Sequence, residues 1–72
     1  FPNPVETSLN VLFPNEVEHA NLYIHDILGK LILDITIQPF QPVDLEQLSS
    51  GLYLLKIQAE GVNSKSLKLL KQ

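Results

Sequence analysis

Ala20-Asn-Leu-Tyr-Ile-His-Asp-Ile-Leu-Gly-Lys-Leu-Ile-Leu-Asp-Ile-Thr-Ile37 decides the fold. Its apolar residues alternate in two runs with turn chemistry between them, the pattern of a β-hairpin. Successive strand side chains point to opposite sides, so Ala20, Leu22 and Ile24 share one face while Asn21, Tyr23 and His25 share the other. Asp26-Ile-Leu-Gly29 stands between the runs. Asp suits the first position of a type I turn and Gly supplies the left-handed residue after it, so Asp26 and Gly29 are expected to close a turn with a G1 bulge. The return strand is expected over residues 30–37, with Leu31, Leu33, Ile35 and Ile37 inward and Ile32, Asp34 and Thr36 on the other face. Burial fixes this register, because a slip of one residue would expose all four aliphatics.

The same alternation recurs on both sides of the hairpin, in short runs that turn residues interrupt every ~8–12 positions. Upstream, Ser8-Leu-Asn-Val-Leu-Phe13 places Leu9, Val11 and Phe13 on one face before Pro14-Asn15 stops the strand, and residues 5–7 are a candidate seventh strand. Downstream, Pro39 and Pro42 remove two ladder donors from a connection, and Val43 and Leu45 are expected in a short edge strand. The spacing of Leu45 and Leu48 fits one helical or 3₁₀ turn that tucks both beneath the sheet. Gly51 then opens a strand with Tyr53, Leu55, Ile57 and Ala59 toward the core, leaving Leu52 and Leu54 to cover a second, partly exposed surface. After turn residues 60–64, a last antiparallel strand directs Leu67 and Leu69 inward. Six or seven such strands make a small all-β antiparallel sandwich, two sheets face to face.

Composition narrows the function classes. Seventy-two residues allow one domain. Ordering them costs on the order of 100 kcal/mol, so nearly all the aliphatic side chains are needed in one core and little remains to line a cleft. Without cysteine there is neither a disulfide nor a thiolate metal site. A net charge of −3 with five lysines and no arginine argues against nucleic acid and against an anionic membrane surface. No apolar run approaches the ~20 residues of a membrane-spanning helix, and no signal-peptide pattern opens the chain. Because it begins at Phe1 without an initiator Met, the chain is expected to be the last domain of a longer polypeptide.

Catalytic and metal-binding patterns find no support. His19 and His25 are six apart on a strand-like stretch with no third ligand. No G-x-S-x-G elbow or oxyanion turn accompanies Ser49, Ser50 or Ser64, and three scattered glycines cannot cradle a phosphate. No catalytic residue, metal or cofactor is therefore expected. Lys65, Lys68 and Lys71 are the nearest approach to a charged site; on a strand, Lys68 faces away from the other two. Lysines on an apolar edge strand also serve to discourage intermolecular pairing. Tyr53 is expected in the core with its hydroxyl bonded to a backbone group.

Taken in order, the elements Phe1-Pro-Asn-Pro-Val5, Ile24-His-Asp26 with Gly29-Lys30 after it, Asp44-Leu45, Leu48, Gly51-Leu-Tyr53 and a lysine-bearing last strand resemble a known pattern. The chain is similar, over essentially all its residues, to the type A C-terminal sorting domain of the type IX secretion system of Bacteroidota. Its lysines read Lys-x-x-Lys where some members have Lys-x-x-x-Lys. The resemblance implies an Ig-like sandwich of about seven strands with no activity of its own. It further implies a parent with its cargo domain N-terminal to this one, carried over the inner membrane by a separate signal. In the periplasm the type IX machinery would bind this domain, and a surface sortase of the cysteine peptidase type would remove it, leaving the cargo secreted or on the cell surface. On this expectation the domain is a monomer that is not inserted in the membrane, and the machinery reads Gly51, Tyr53, Lys65, Lys68 and Lys71. A competing class is an Ig-like carbohydrate-binding or adhesion module, which needs exposed aromatics; the chain has no Trp, and only Tyr23 is patterned outward. A structural spacer is a third.

Overall fold

A computed structural model describes residues 3–5 and 7–72. The fold is all-β, with strands β1 (Asn3–Val5), β2 (Ser8–Leu9), β3 (Ala20–Asp26), β4 (Leu31–Ile37), β5 (Val43–Asp44), β6 (Gly51–Gln58) and β7 (Lys65–Lys71), and no helix among the described residues. One sheet has the order β1-β7-β6-β3-β4; β2 and β5 form a second, small one. All pairings are antiparallel except that of β1, which runs parallel to β7 with Asn3 opposite Leu69 and Val5 opposite Lys71. The extra strand expected over residues 5–7 lies earlier, over Asn3–Val5, and shares only Val5 with that span; residue 6 is outside the described residues.

The deciding hairpin forms as its turn chemistry dictates. The Gly29 amide donates to the Asp26 carbonyl at 3.0 Å, the Asp26 amide donates to the Lys30 carbonyl at 2.9 Å, and Gly29 is left-handed at φ +88°. Asp26 does more, since its Oδ1 accepts the amides of Leu28 and Lys30, each at 2.9 Å. These bonds satisfy donors that the tight loop would otherwise leave unpaired. A second irregularity follows: Ile24 pairs with Leu33 but His25 with Leu31, so Ile32 is an extra residue in β4. The bulge breaks the alternation there, and Leu31, expected inward, is 47% exposed.

The core is the contact between layers. Ala20, Leu22 and Ile24 of β3, Ile37 of β4, Tyr53 and Leu55 of β6 and Leu69 of β7 meet Val43, Leu45 and Leu48. Leu9, Val11 and Phe13 pack on this set from the second layer, although only Ser8 and Leu9 pair with β5; beyond them the run keeps its alternation without a ladder, and Leu12 is 95% exposed. The Val17 amide reaches the Pro14 carbonyl at 3.3 Å where this run turns. Leu45 is tied to the residue just ahead of β2, its amide donating to the Thr7 carbonyl at 2.8 Å. The single turn expected at Leu45 and Leu48 is present, with the Leu48 amide on the Leu45 carbonyl at 3.0 Å and both side chains buried. Asp44 starts it by accepting the Glu46 amide at 3.0 Å. Leu67 departs from expectation: it is 51% exposed because β1 flanks β7 only from Leu69 to Lys71, which leaves Leu67 on the open stretch of the strand.

Candidate functional site

The final hairpin, residues 51–71, carries all five residues expected to be read by a partner. Its two strands pair continuously from Gly51 opposite Lys71 to Ile57 opposite Lys65. Gly51 stands at φ +151°, a conformation that L side chains rarely adopt, yet a Cβ built on it would meet nothing within 4 Å. Its requirement is therefore conformational and not a matter of space. Two residues on, Tyr53 buries its ring in the core while its hydroxyl donates to the Ser49 carbonyl at 2.7 Å. This bond ties β6 to the chain that leads into it, much as the tyrosine corner does in immunoglobulin sandwiches. Gly51 and Tyr53 thus set the direction and depth at which the hairpin leaves the Leu45–Leu48 turn.

The three lysines occupy three different surroundings. Lys71 lies on the same face of β7 as Leu69 and is only 7% exposed, its Nζ donating to the Gln72 carbonyl at 3.0 Å. Lys65 is exposed at the rim of an apolar cleft of about 130 Å³ at one end of the sandwich, lined by Val11, Phe13, Val17, Ala20 and Ile57 among others. Such a volume holds one apolar side chain. Lys68 is exposed on the outer face, directly across from Leu54. Nor is β7 a simple edge strand, since β1 covers it over Leu69–Lys71 and the Lys65–Lys68 stretch alone is unflanked among the described residues.

Reading across the sheet brings in residues that reading along the chain passed over. Lys56 faces outward between Ser66 of β7 and Tyr23 of β3, with Asp34 beyond Tyr23, and Lys68 stands diagonally from it, two residues past Ser66. Leu52 and Leu54 are exposed on this same face, as their alternation predicts, and Leu52 is paired with Leu70. The signal for Lys56 was its even spacing from Leu52 and Leu54. Phe40 left no periodic signal at all: it stands between prolines in a left-handed conformation, φ +64°, and is fully exposed.

Carboxylates gather elsewhere. Glu16, Glu18 and Glu60 surround a shallow depression with His19 at the end of the sandwich. Among the described residues no group of three or more His, Cys, Asp or Glu side chains is arranged to hold a metal ion. His25 instead lies between Leu31 and Leu54 in the sheet. What this arrangement offers is a hairpin whose start is fixed by Gly51 and the Tyr53–Ser49 bond and whose outer face exposes Leu52 and Leu54 beside Lys56 and Lys68.

A family model for the secretion system C-terminal sorting domain matches residues 1–72. No curated protein and no solved structure matches the chain.

Proposed function

This chain belongs to the family of secretion system C-terminal sorting domains, and from that premise we propose that it acts as a folded address whose final hairpin is read by the export machinery. As a family member it is a sorting signal for type IX secretion, and its parent is destined for the cell surface or the medium. The finer steps are the proposal. The domain is the last one of a longer secreted parent, meets the machinery in the periplasm as a monomer, and is removed at the surface by a sortase. It carries no catalysis itself. Gly51 and Tyr53 act by posing the hairpin, Lys68 and Lys65 are presented to the partner, and Lys71 contributes from within the fold.

The observation that carries this reading is the family match along the whole chain; the junction of Gly51, Tyr53 and Ser49 supports the part that concerns the pose. The test is a fusion of these residues to the C-terminus of a periplasmic reporter in a host with the type IX system. The intact chain is expected to bring the reporter to the surface. Removing residues 65–72 takes away β7 and with it Leu69, so the sandwich loses a core strand and export is expected to stop. Equal surface delivery with and without residues 65–72 would refute a folded tail as the signal.

A further inference from the structure

The outer face of a solvated antiparallel sheet is ordinarily polar. Here the middle of that face is not. Leu52 and Leu54 of β6 are exposed, and Leu70 of β7 stands directly beside Leu52 and is only partly buried. Adjacent side chains on neighbouring strands are about 5 Å apart, so these leucines form one patch and not scattered residues.

Charge is distributed to match. The chain has a net charge of −3, yet none of the outward positions of β6 (52, 54, 56, 58) or β7 (66, 68, 70) is acidic. Lys56 and Lys68 occupy two of them, Lys68 directly across from Leu54 and Lys56 two residues further along the same strand. The nearest carboxylate in the row of Lys56 is Asp34, two strands away with Tyr23 between. Glu16, Glu18 and Glu60 lie around a separate depression at the end of the sandwich. Among the described residues, Asp34 carries a carboxylate on this side of the sheet but stands on the far strand β4, so the part of the face formed by β6 and β7 is apolar with two lysines and no acid.

We propose that this face, Leu52, Leu54 and Leu70 beside Lys56 and Lys68, docks an apolar protein surface rimmed with carboxylates. The leucines supply buried area and the lysines select the sign of the partner's rim, since complementary charge steers encounter and rejects like-charged surfaces. The partner belongs to the export machinery, so the inference rests on the sorting function proposed above. A hydrated cation with a long apolar stem suits such a rim, because the stem lies along the leucines while the ammonium stays wet. Tyr53 and Gly51 lie on or within the same hairpin and hold the face in place without touching the partner.

The reporter fusion tests it. Charge reversal at both positions, Lys56→Glu with Lys68→Glu, is expected to lower surface delivery about tenfold, whereas Lys56→Arg with Lys68→Arg keeps it within about twofold of the parent. Lys30→Glu, a reversal at an exposed lysine off this face, is expected to behave like the Arg pair. Both lysines are exposed, so unchanged melting temperatures should accompany all these variants; Leu54→Gln, which keeps the charges, is expected to reduce delivery as well. Unimpaired delivery by the Lys56→Glu, Lys68→Glu variant, with the unaltered fusion exported, overturns the docking face alone. An unaltered fusion that stays in the periplasm overturns the sorting function itself.

Discussion

Tyr53→Phe isolates one hydrogen bond in the hinge of the hairpin. The substitution keeps the ring, so the core around Leu55 and Leu69 keeps its packing and no cavity opens. It removes the hydroxyl that donates to the Ser49 carbonyl at 2.7 Å and leaves that acceptor without its partner. A net intramolecular hydrogen bond is worth about 0.5–1.5 kcal/mol. Ser49 itself is exposed, so water can reach its carbonyl once the hydroxyl is gone, which places the expected loss at about 1 kcal/mol and not above the range. For a domain of this size that corresponds to a melting temperature lower by roughly 4–8 °C. Urea unfolding followed by far-ultraviolet circular dichroism should show a lower midpoint with an unchanged slope, because the surface exposed on unfolding is the same. Tyr53→Ala, by contrast, removes the ring and should cost about 3–5 kcal/mol. If Tyr53→Phe melts within about a degree of the parent, the bond does not pin β6 and the comparison with a tyrosine corner fails.

Three other substitutions probe the same region and the deciding hairpin. Gly51→Ala should destabilise by about 1–2 kcal/mol in urea titration even though its methyl group meets empty space, because the penalty is in φ +151° alone. Asp26→Ala removes the acceptor of the Leu28 and Lys30 amides and should lower stability by about 0.5–2 kcal/mol, with Asp26→Asn recovering most of it. Lys71→Met has the opposite sign: a nearly buried ammonium is replaced by an apolar chain of similar length, so the melting temperature should hold or rise, and a clear fall would show that the Gln72 contact stabilises the fold.

Much of the sandwich is legible wherever the information is local. Period-two alternation marks β3 from Ala20 to Asp26 and β6 from Gly51, and Asp26 with Gly29 names its own turn, because each depends only on neighbouring residues. The buried turn at Leu45 and Leu48 is local in the same way. Legibility ends where a residue's fate depends on what lies across from it. Leu31 has the right parity for the core, but the bulge that exposes it arises from matching a G1 turn to the pairing of β3 and β4. Leu67 has the right parity too, and is exposed because β1 flanks only the far end of β7. The candidate site divides along the same line. Gly51 and Tyr53 announce their structural parts through backbone freedom and ring burial, and alternation separates Lys68 from Lys65 and Lys71, but nothing in the spacing tells that Lys71 is buried while Lys65 rims a cleft.

The parallel contact between β1 and β7 has a consequence in time. It joins residues 3–5 to residues 69–71, so the first strand of this domain has no ladder to enter until the last one has been synthesised. Contacts between the two ends of a chain are the slowest to form, since the loop between them must close first. A chain broken off before Leu69 lacks both the final core leucine and the template for its own first strand. Completion of the sheet therefore reports that the chain has been made through residue 71, and a receptor that binds only the finished sandwich would pass over a domain cut short before that point.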